Sequence, residues 1–284
     1  MRTFGLIGNS LTHSFSQQYF TEKFQQQNIN NAEYCLFSLS HIQEVKELLK
    51  HPSLLGFNVT TPYKTEIIPY LDELDVVAQE VCAVNCVVKE NNKWIGYNTD
   101  VIGFERLLQE IEVPKFKVQS SRFKVQSGVP ISPSNFEGVP EGRGSLYNAL
   151  VLGSGGASKA VCYILKQRNI PFQIVSRNKT NHTITYNELT ELITNHYTLT
   201  TNHYTLIINT TPLGMFPNVN EKPPLPYPAL THNHILIDLI YNPEETLFLK
   251  EGKKRGALTI NGLTMFEAQA EAAYSKFKVQ ILEP

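Results

Sequence analysis

The chain contains 284 residues, 42% of them hydrophobic and 18% charged, an ordinary composition for a globular protein that is long enough for two moderate cores. Its formal net charge of -1 comes from interspersed signs, so no basic patch points to a nucleic acid partner. No apolar stretch approaches the roughly 18 residues of a membrane-spanning helix, and polar residues interrupt the apolar start before it reaches signal-peptide length. We therefore expect a two-lobed cytoplasmic protein that binds neither nucleic acid nor membrane.

The four cysteines, Cys35, Cys82, Cys86 and Cys162, include no Cys-x-x-Cys pair. Cys82 and Cys86 also lack a second pair, or histidines, at zinc-finger spacing. Free thiols are the expected state, and we favour buried packing of Cys82 and Cys86 over metal or redox chemistry. The sequence therefore predicts no metal site.

The first hundred residues alternate between strand and helix patterns. Strands are predicted at residues 4–7, 34–37 and 54–59, with helices at 17–27 and 42–49 between them. Such an alternation predicts a mostly parallel α/β sheet.

The polar segment NVTTPYK, from Asn58 to Lys64, directly follows the third predicted strand. Open α/β sheets bind their ligands at the carboxyl ends of strands, so a site is plausible there. Pro62 suits the first turn of a helix, and Lys64 would follow it on the same side. Lysine is unfavourable at a helix start, so Lys64 either serves a site or is a surface residue of a new helix.

A helix at 76–81 and a hairpin with arms 83–88 and 94–97 are predicted next, with Asn91 and Asn92 in the turn. The second arm ends in Asp100, ahead of an apolar helix at 101–111. Asp100 either caps that helix or belongs to a site, and the local pattern alone favours the cap.

Residues 113–147 contain interspersed proline, glycine and serine, which predicts a long mobile loop. The tetrapeptide FKVQ begins at Phe116, Phe123 and Phe277, and NHYTL begins at Asn195 and Asn202. These repeats are too short to be structural units.

The second half opens with ALVLGSGGASKA at 149–160, a buried strand that runs into a glycine-rich turn and a helix. Gly153, Gly155 and Gly156 would let a pyrophosphate approach the backbone at the helix N-terminus. Ser158 stands where the fingerprint usually has glycine or alanine. A tight structural turn is therefore the alternative.

The next strand, at 172–175, ends in Ser176, Arg177, Asn178 and Lys179. In NAD-binding folds an acidic residue at this place holds the ribose, whereas an arginine accommodates a 2′-phosphate. Arg177 therefore favours NADP, and a solvated basic turn is the alternative.

Further strands at 204–209 and 235–240, with helices at 157–168 and 186–194, predict at least half of a doubly wound fold. The segments TTPLGMFP and YNPEET would lie at its ligand edge. Residues 258–262 and an alanine-rich helix from 263 to about 277 close the chain.

Nine segments, in this order, resemble the shikimate dehydrogenase family along nearly the whole chain apart from the loop at 113–147. They are SLTHSFS at Ser10, NVTTPYK at Asn58, AVN at Ala83, YNTD at Tyr97, GSGGASKA at Gly153, SRN at Ser176, NTTPLGM at Asn209, YNPEET at Tyr241 and NGLTMFEAQA at Asn261.

The resemblance implies a reversible, NADPH-dependent reduction of 3-dehydroshikimate to shikimate, a step towards aromatic amino acids. It implies Lys64 and Asp100 as catalytic residues and leaves the mobile proton to either of them. It also implies a two-domain α/β fold. Residues 1–103 and 264–284 would form a mostly parallel α/β substrate domain, and residues 104–263 a Rossmann-type NADP-binding domain.

By the family pattern, a polar uncharged set binds the carboxylate and hydroxyls of a small polyol acid: Ser14, Ser16, Asn58, Thr60, Asn85, Tyr241 and Gln269. The residues implied for the cofactor are Gly153, Gly155, Gly156, Ala157, Ser176, Arg177, Asn178, Thr210, Met215, Gly262 and Met265. We expect a monomer or homodimer.

The chain departs from the family at Cys86, where threonine is common, and at Asn9 and Ser10, which replace a pair containing proline. Lys179 is the only second basic residue after Arg177, so the preference for NADP could be weaker than usual. The rival interpretations are a quinate/shikimate dehydrogenase using NAD and a dinucleotide-binding regulatory protein without turnover.

Overall fold

A computed structural model describes residues 1–9, 11, 14–111, 148–195 and 205–282. The chain divides into two compact units, Met1–Gly103 with Phe266–Pro284, and Phe104–Met265. The predicted loop at 113–147, Ser10 of the SLTHSFS segment and most of the NHYTL repeats lie outside the described residues.

The strands are β1 (Arg2–Gly8), β2 (Ala32–Ser38), β3 (Leu54–Val59), β4 (Glu73–Leu74), β5 (Cys86–Glu90), β6 (Lys93–Tyr97), β7 (Ala149–Leu152), β8 (Phe172–Ser176), β9 (Thr183–Thr185), β10 (Leu206–Asn209), β11 (Ile235–Asp238) and β12 (Leu258–Ile260). The helices are α1 (Phe15–Gln26), α2 (Val45–Leu48), α3 (Val76–Val81), α4 (Asp100–Ile111), α5 (Gly156–Gln167), α6 (Tyr186–Asn195), α7 (Leu247–Lys254) and α8 (Leu263–Leu282).

The sheet of the first unit has the order β2-β1-β3-β5-β6-β4. The pairs β1–β2, β1–β3 and β4–β6 are parallel, while β3–β5 and β5–β6 are antiparallel. Asn91 and Asn92 form the tight turn between β5 and β6 with φ of 50° and 62°, the left-handed region that a two-residue hairpin turn requires.

Helices α1 and α8 cover one face of this sheet. Phe20 and Phe24 of α1 and Phe277 of α8 pack against Phe4 of β1, and the Phe4 and Phe277 ring centroids lie 4.9 Å apart. Ala270, Ala273, Tyr274, Phe277 and Ile281 are buried at helical spacing. The last helix therefore belongs to the first unit over most of its length, and it carries Gln269 there.

The sheet of the second unit is parallel throughout, in the order β12-β11-β10-β7-β8-β9. Numbered within the unit, this is the 3-2-1-4-5-6 order of the dinucleotide-binding fold. Leu150, Val151 and Leu152 are fully buried, as expected for a strand covered on both faces. The predicted α/β fold class is confirmed. The sequence interpretation missed β9 and α7.

The prediction of a helix that starts at Pro62 is wrong, since the chain there forms turns followed by a short 3₁₀ helix at Ile68–Tyr70. The carbonyl oxygen of Lys64 accepts a hydrogen bond of 2.7 Å from the Val84 N–H. The Ile68 N–H, which would bond to this oxygen in an α-helix, donates instead to the Thr65 carbonyl at 3.4 Å.

The prediction that Cys82 is buried is also wrong. Cys82 ends α3 with a φ of 54° and is exposed, because this left-handed conformation turns the chain at the surface. Cys86 is buried, as predicted, and burial raises the pKa of its thiol to about 12.

Candidate active site

Lys64 and Asp100 meet within the first unit, although they are 36 residues apart in sequence. Lys64 Nζ donates a hydrogen bond of 2.6 Å to Asp100 Oδ2, and the side chains are 15% and 6% exposed. Lys64 comes from the turn after β3, and Asp100 opens α4. The result is a largely desolvated ion pair in which the lysine side chain is the more exposed partner.

Asp100 makes no helix-cap bond among the described residues, because its two carboxylate oxygens have other partners. Oδ2 accepts from Lys64, and Oδ1 accepts from Asn85 Nδ2 at 2.8 Å. Asn98 supplies a capping bond instead, since its Oδ1 accepts from the Val101 N–H at 3.3 Å. Asp100 is thus oriented by side chains and not by the end of its own helix.

Asn85 joins several of the predicted substrate residues. Its Nδ2 lies within hydrogen-bonding distance of Asp100 Oδ1 and of Gln269 Oε1, the latter at 3.3 Å. Its Oδ1 accepts from the Thr99 N–H at 2.6 Å and from Thr99 Oγ1 at 3.2 Å. Because Asn85 is only 3% exposed and its amide is bonded at both ends, it fixes the orientation of Asp100.

Asn58 is held by a buried tyrosine that the sequence interpretation did not single out. Tyr34 donates a hydrogen bond of 2.8 Å to Asn58 Oδ1, and Asn58 Nδ2 donates to the Asn85 carbonyl at 3.2 Å. The Tyr34 ring stacks on Phe20 with centroids 4.4 Å apart. One Asn58 N–H therefore remains for an external acceptor, in a fixed direction.

Ser14, Ser16 and Thr60 lie in the same unit without a hydrogen bond to this network among the described residues. Ser14 caps α1, and its Oγ accepts from the Ser16 N–H at 3.2 Å. All three are half-buried. Hydrogen bonds thus link Lys64, Asp100, Asn85, Asn58 and Gln269 directly. Ser14 and Ser16 lie at the start of α1, outside this network in the described residues.

The glycine-rich turn in the second unit has open backbone around it. Gly153 has a φ of +109°, and a Cβ there would lie 2.7 Å from Thr210 Oγ1. A Cβ on Gly155 would meet no heavy atom within 4 Å, and no side chain caps α5 there. The first-turn N–H groups are therefore accessible to an anion.

Ser158, the departure from the fingerprint, fits without disturbing this turn. Its side chain is 2% exposed, and its Oγ donates a hydrogen bond of 2.6 Å to the Gly155 carbonyl. Ala157 precedes it in the first turn of α5 and is half-buried. A serine that bonds back to its own turn keeps the close packing for which glycine or alanine is usually needed.

The end of β8 lies beside this turn, since Ser154 Oγ and Ser176 Oγ are 3.0 Å apart. Arg177 follows and is exposed, close enough to Tyr186 for an electrostatic interaction. Asn178 is also exposed, and its carbonyl accepts from Thr183 Oγ1 at 3.1 Å. The residue after the strand end that contacts the glycine turn is therefore an exposed cation.

Asp238, which the sequence interpretation missed, ties together two loops at the ends of strands. Its Oδ1 accepts from Asn209 Nδ2 and from the Ile240 N–H, each at 3.0 Å, and its Oδ2 accepts from Thr246 Oγ1 at 2.6 Å. Burial raises the pKa of the Asp238 carboxyl to about 7, while these three donors act in the opposite direction. Asn209 Oδ1 in turn accepts from the Thr211 N–H at 3.0 Å.

The remaining predicted residues of the second unit lie on these loops or near them. Thr210 Oγ1 donates to the Leu152 carbonyl at 2.7 Å, and Met215 is 47% exposed. Tyr241 is half-buried, and burial raises its pKa to about 12. A Cβ on Gly262 would lie 2.1 Å from the Leu239 carbonyl oxygen. Gly262 directly precedes α8, and Met265, which is 6% exposed, lies in the first turn of that helix.

Within the described ranges, no helix is long and apolar enough to cross a membrane. No cluster of three or more histidine, cysteine, aspartate or glutamate side chains in that same part of the chain could hold a metal ion.

Three kinds of comparison with known proteins agree. Residues 6–87 match the family described as the shikimate dehydrogenase substrate binding domain. A protein from Methanococcus aeolicus named shikimate dehydrogenase (NADP(+)) is 36% identical over 279 residues, covering 95% of this chain and 89% of its own. One of the same name from Bacillus cereus is 35% identical over 280 residues, with 95% and 90% covered.

Solved structures give the same result. A crystal structure of a shikimate dehydrogenase in complex with NADP+ superposes with a TM-score of 0.69 at 31% identity, covering 97% of this chain and 89% of that one. Shikimate dehydrogenase 1 from Peptoclostridium difficile superposes with a TM-score of 0.72 at 29% identity, covering 100% of both chains.

Proposed function

The chain belongs to the shikimate dehydrogenase family, and from this membership we propose that it reduces 3-dehydroshikimate reversibly to shikimate with NADPH. It is an oxidoreductase that acts on a CH–OH group, in the shikimate pathway. The observation that carries the proposed chemistry is the 2.6 Å pair between Lys64 and Asp100.

NADP supplies the hydride chemistry when it is bound, and the second unit fits such a molecule. The open backbone at Gly155 supports binding of a pyrophosphate by the turn from Gly153 to Ala157. Arg177 is an exposed cation beside that turn, suited to a 2′-phosphate, with Ser176 and Asn178 as its neighbours.

In the first unit, Lys64 would place its ammonium on the oxygen of the reacting carbon. A cation there stabilises the negative charge that develops as the ketone becomes an alkoxide. Lys64 then donates a proton to that oxygen, or takes one from the hydroxyl in the reverse direction. Asp100 keeps Nζ in place and offers a carboxylate to the neighbouring hydroxyl.

The polar residues around this pair would select the substrate. Asn58 is held by a buried hydrogen bond from Tyr34, and Gln269 by partly buried bonds to Asn85 and to the Phe266 carbonyl, so each presents its remaining N–H in one direction. Together with Ser14, Ser16 and Thr60, they suit a small acid with several hydroxyls. A site built in this way rejects analogues that leave its polar groups unpaired.

The test is to follow the absorbance of the reduced cofactor with purified protein, with shikimate or quinate and with NADP or NAD, in all four pairings. We expect the highest kcat/KM for shikimate with NADP. Faster turnover of quinate with NAD would favour the rival dehydrogenase. Absence of turnover in every pairing would favour a regulatory protein. The cytoplasmic location and the monomeric or homodimeric state stay predictions.

A further inference from the structure

Lys179, the second basic residue after β8, already has a carboxylate partner. Lys179 Nζ forms an ion pair with Glu188 Oε1 in the first turn of α6. The two side chains are 61% and 32% exposed. Arg177, two residues earlier, pairs with no carboxylate among the described residues, so the two cations of this segment differ in availability.

Glu188 is itself fixed by the start of α6. Its Oε2 accepts from the Thr185 N–H at 2.8 Å and from Thr185 Oγ1 at 3.1 Å, while the Glu188 N–H lies 3.2 Å from Thr185 Oγ1. This reciprocal arrangement is a capping box, in which the carboxylate cannot swing away without losing its two hydrogen bonds to Thr185. The hydrogen bond from Lys179 lowers the pKa of the Glu188 carboxyl, so the group is charged at neutral pH.

The pair follows the strand end that contacts the glycine turn. Ser154 and Ser176 bring the turn and the end of β8 together, and Lys179 follows Ser176 by three residues. A free Lys179 ammonium would add to the attraction that Arg177 exerts on a 2′-phosphate, and it would add nothing for a 2′-hydroxyl. Its pairing with an anchored carboxylate removes that contribution.

We propose that Glu188 is a specificity-determining residue that limits the discrimination between NADP and NAD by holding Lys179 in its capping-box ion pair. This inference rests on the proposed function, since it concerns the cofactor of that reaction. Under this proposal, Lys179 adds little preference for the phosphorylated cofactor, although it is the second basic residue after β8.

Glu188→Gln separates the charge from the cap, because glutamine also completes a capping box. We expect its dissociation constant for NADP+, measured by titration calorimetry without substrate, to fall roughly two- to fivefold, the range for an exposed charge contact. The constant for NAD+ should stay the same. The gain should shrink as salt is added, because an exposed contact is screened.

Lys179→Met is the matched control. Alone it should leave NADP+ binding nearly unchanged, and combined with Glu188→Gln it should abolish the gain, as a double-mutant cycle requires for a direct coupling. An unchanged ratio of NADP+ to NAD+ binding in Glu188→Gln, or a gain that persists in the double variant, would overturn the inference alone. Failure of the unsubstituted protein to bind NADP+ would overturn the proposed function with it.

Discussion

The buried carboxyl of Asp238 should make the stability of the protein depend on pH in an unusual direction. Burial raises its pKa from 3.8 to about 7 in the native state. In the unfolded chain the ordinary value returns. Between the two values the native state holds the proton more tightly, so the free energy of unfolding contributed by this group falls as pH rises from about 4 to about 7.

The size of the effect follows from the same two values. Each tenfold change in proton affinity is worth about 1.4 kcal/mol, so the interval from 3.8 to about 7 corresponds to about 4 kcal/mol. Asp238→Asn removes the titration and can keep the contacts. Its Oδ1 can accept from Asn209 and Ile240, and its Nδ2 can donate to Thr246, whose hydroxyl also accepts.

The assay is urea unfolding followed by circular dichroism at several pH values, for the unsubstituted protein and for Asp238→Asn. Other titrating groups contribute equally to both, so the difference between the two curves reports Asp238. Because pH 5 already lies above the unfolded pKa of 3.8, this interval captures only part of the full effect. We expect Asp238→Asn to be relatively more stable at pH 8 than at pH 5, by about 3 kcal/mol. Parallel curves would refute the reasoning.

Three further predictions concern substitutions at four positions. Gly155→Ala should keep its melting temperature, because the new Cβ meets nothing within 4 Å, but it should weaken NADP+ binding in calorimetry, because that Cβ occupies the space for a phosphate. Gly262→Ala should instead lower the melting temperature, because its Cβ would lie 2.1 Å from a carbonyl oxygen. Equal effects of the two would contradict this account. Arg177→Met should raise the KM for NADP by roughly tenfold or more and leave that for NAD unchanged, as measured by steady-state kinetics; a similar change for both would remove Arg177 from the phosphate site. Thr99→Val should lower kcat and cost about 1 kcal/mol of stability in urea, because Asn85 loses a hydroxyl partner; an unchanged kcat would leave Thr99 a purely structural role.

The sequence patterns that reported the fold correctly were local and strong. An unbroken apolar run before Gly153 predicted a strand buried on both faces, and the alternation after it predicted a parallel doubly wound sheet. Asn91 and Asn92 predicted the hairpin turn, since few residues tolerate positive φ. In each of these places the residues that determine the structure are neighbours in the chain.

The features that the sequence did not reveal depend on contacts between distant segments. Local spacing favoured Asp100 as a helix cap, and only the family resemblance paired it with Lys64. The Lys64 carbonyl bond to Val84, in the segment where a helix was expected, joins residues of two strand connections. In the sequence, Asp238 does not differ from any other acidic residue at the end of a strand. Only the structure shows the three hydrogen-bond donors that surround its carboxylate.

The central claim is that Lys64 acts on the reacting oxygen, and the kinetics of Lys64→Ala test it most directly. Lys93→Ala is the control, a lysine of the same unit that pairs with Glu73 at the surface and is 58% exposed. With both variants verified as folded, we expect Lys64→Ala to lose roughly a hundredfold or more in kcat with little change in the KM for shikimate, and Lys93→Ala to be unaffected. A near-normal kcat in Lys64→Ala would contradict the claim.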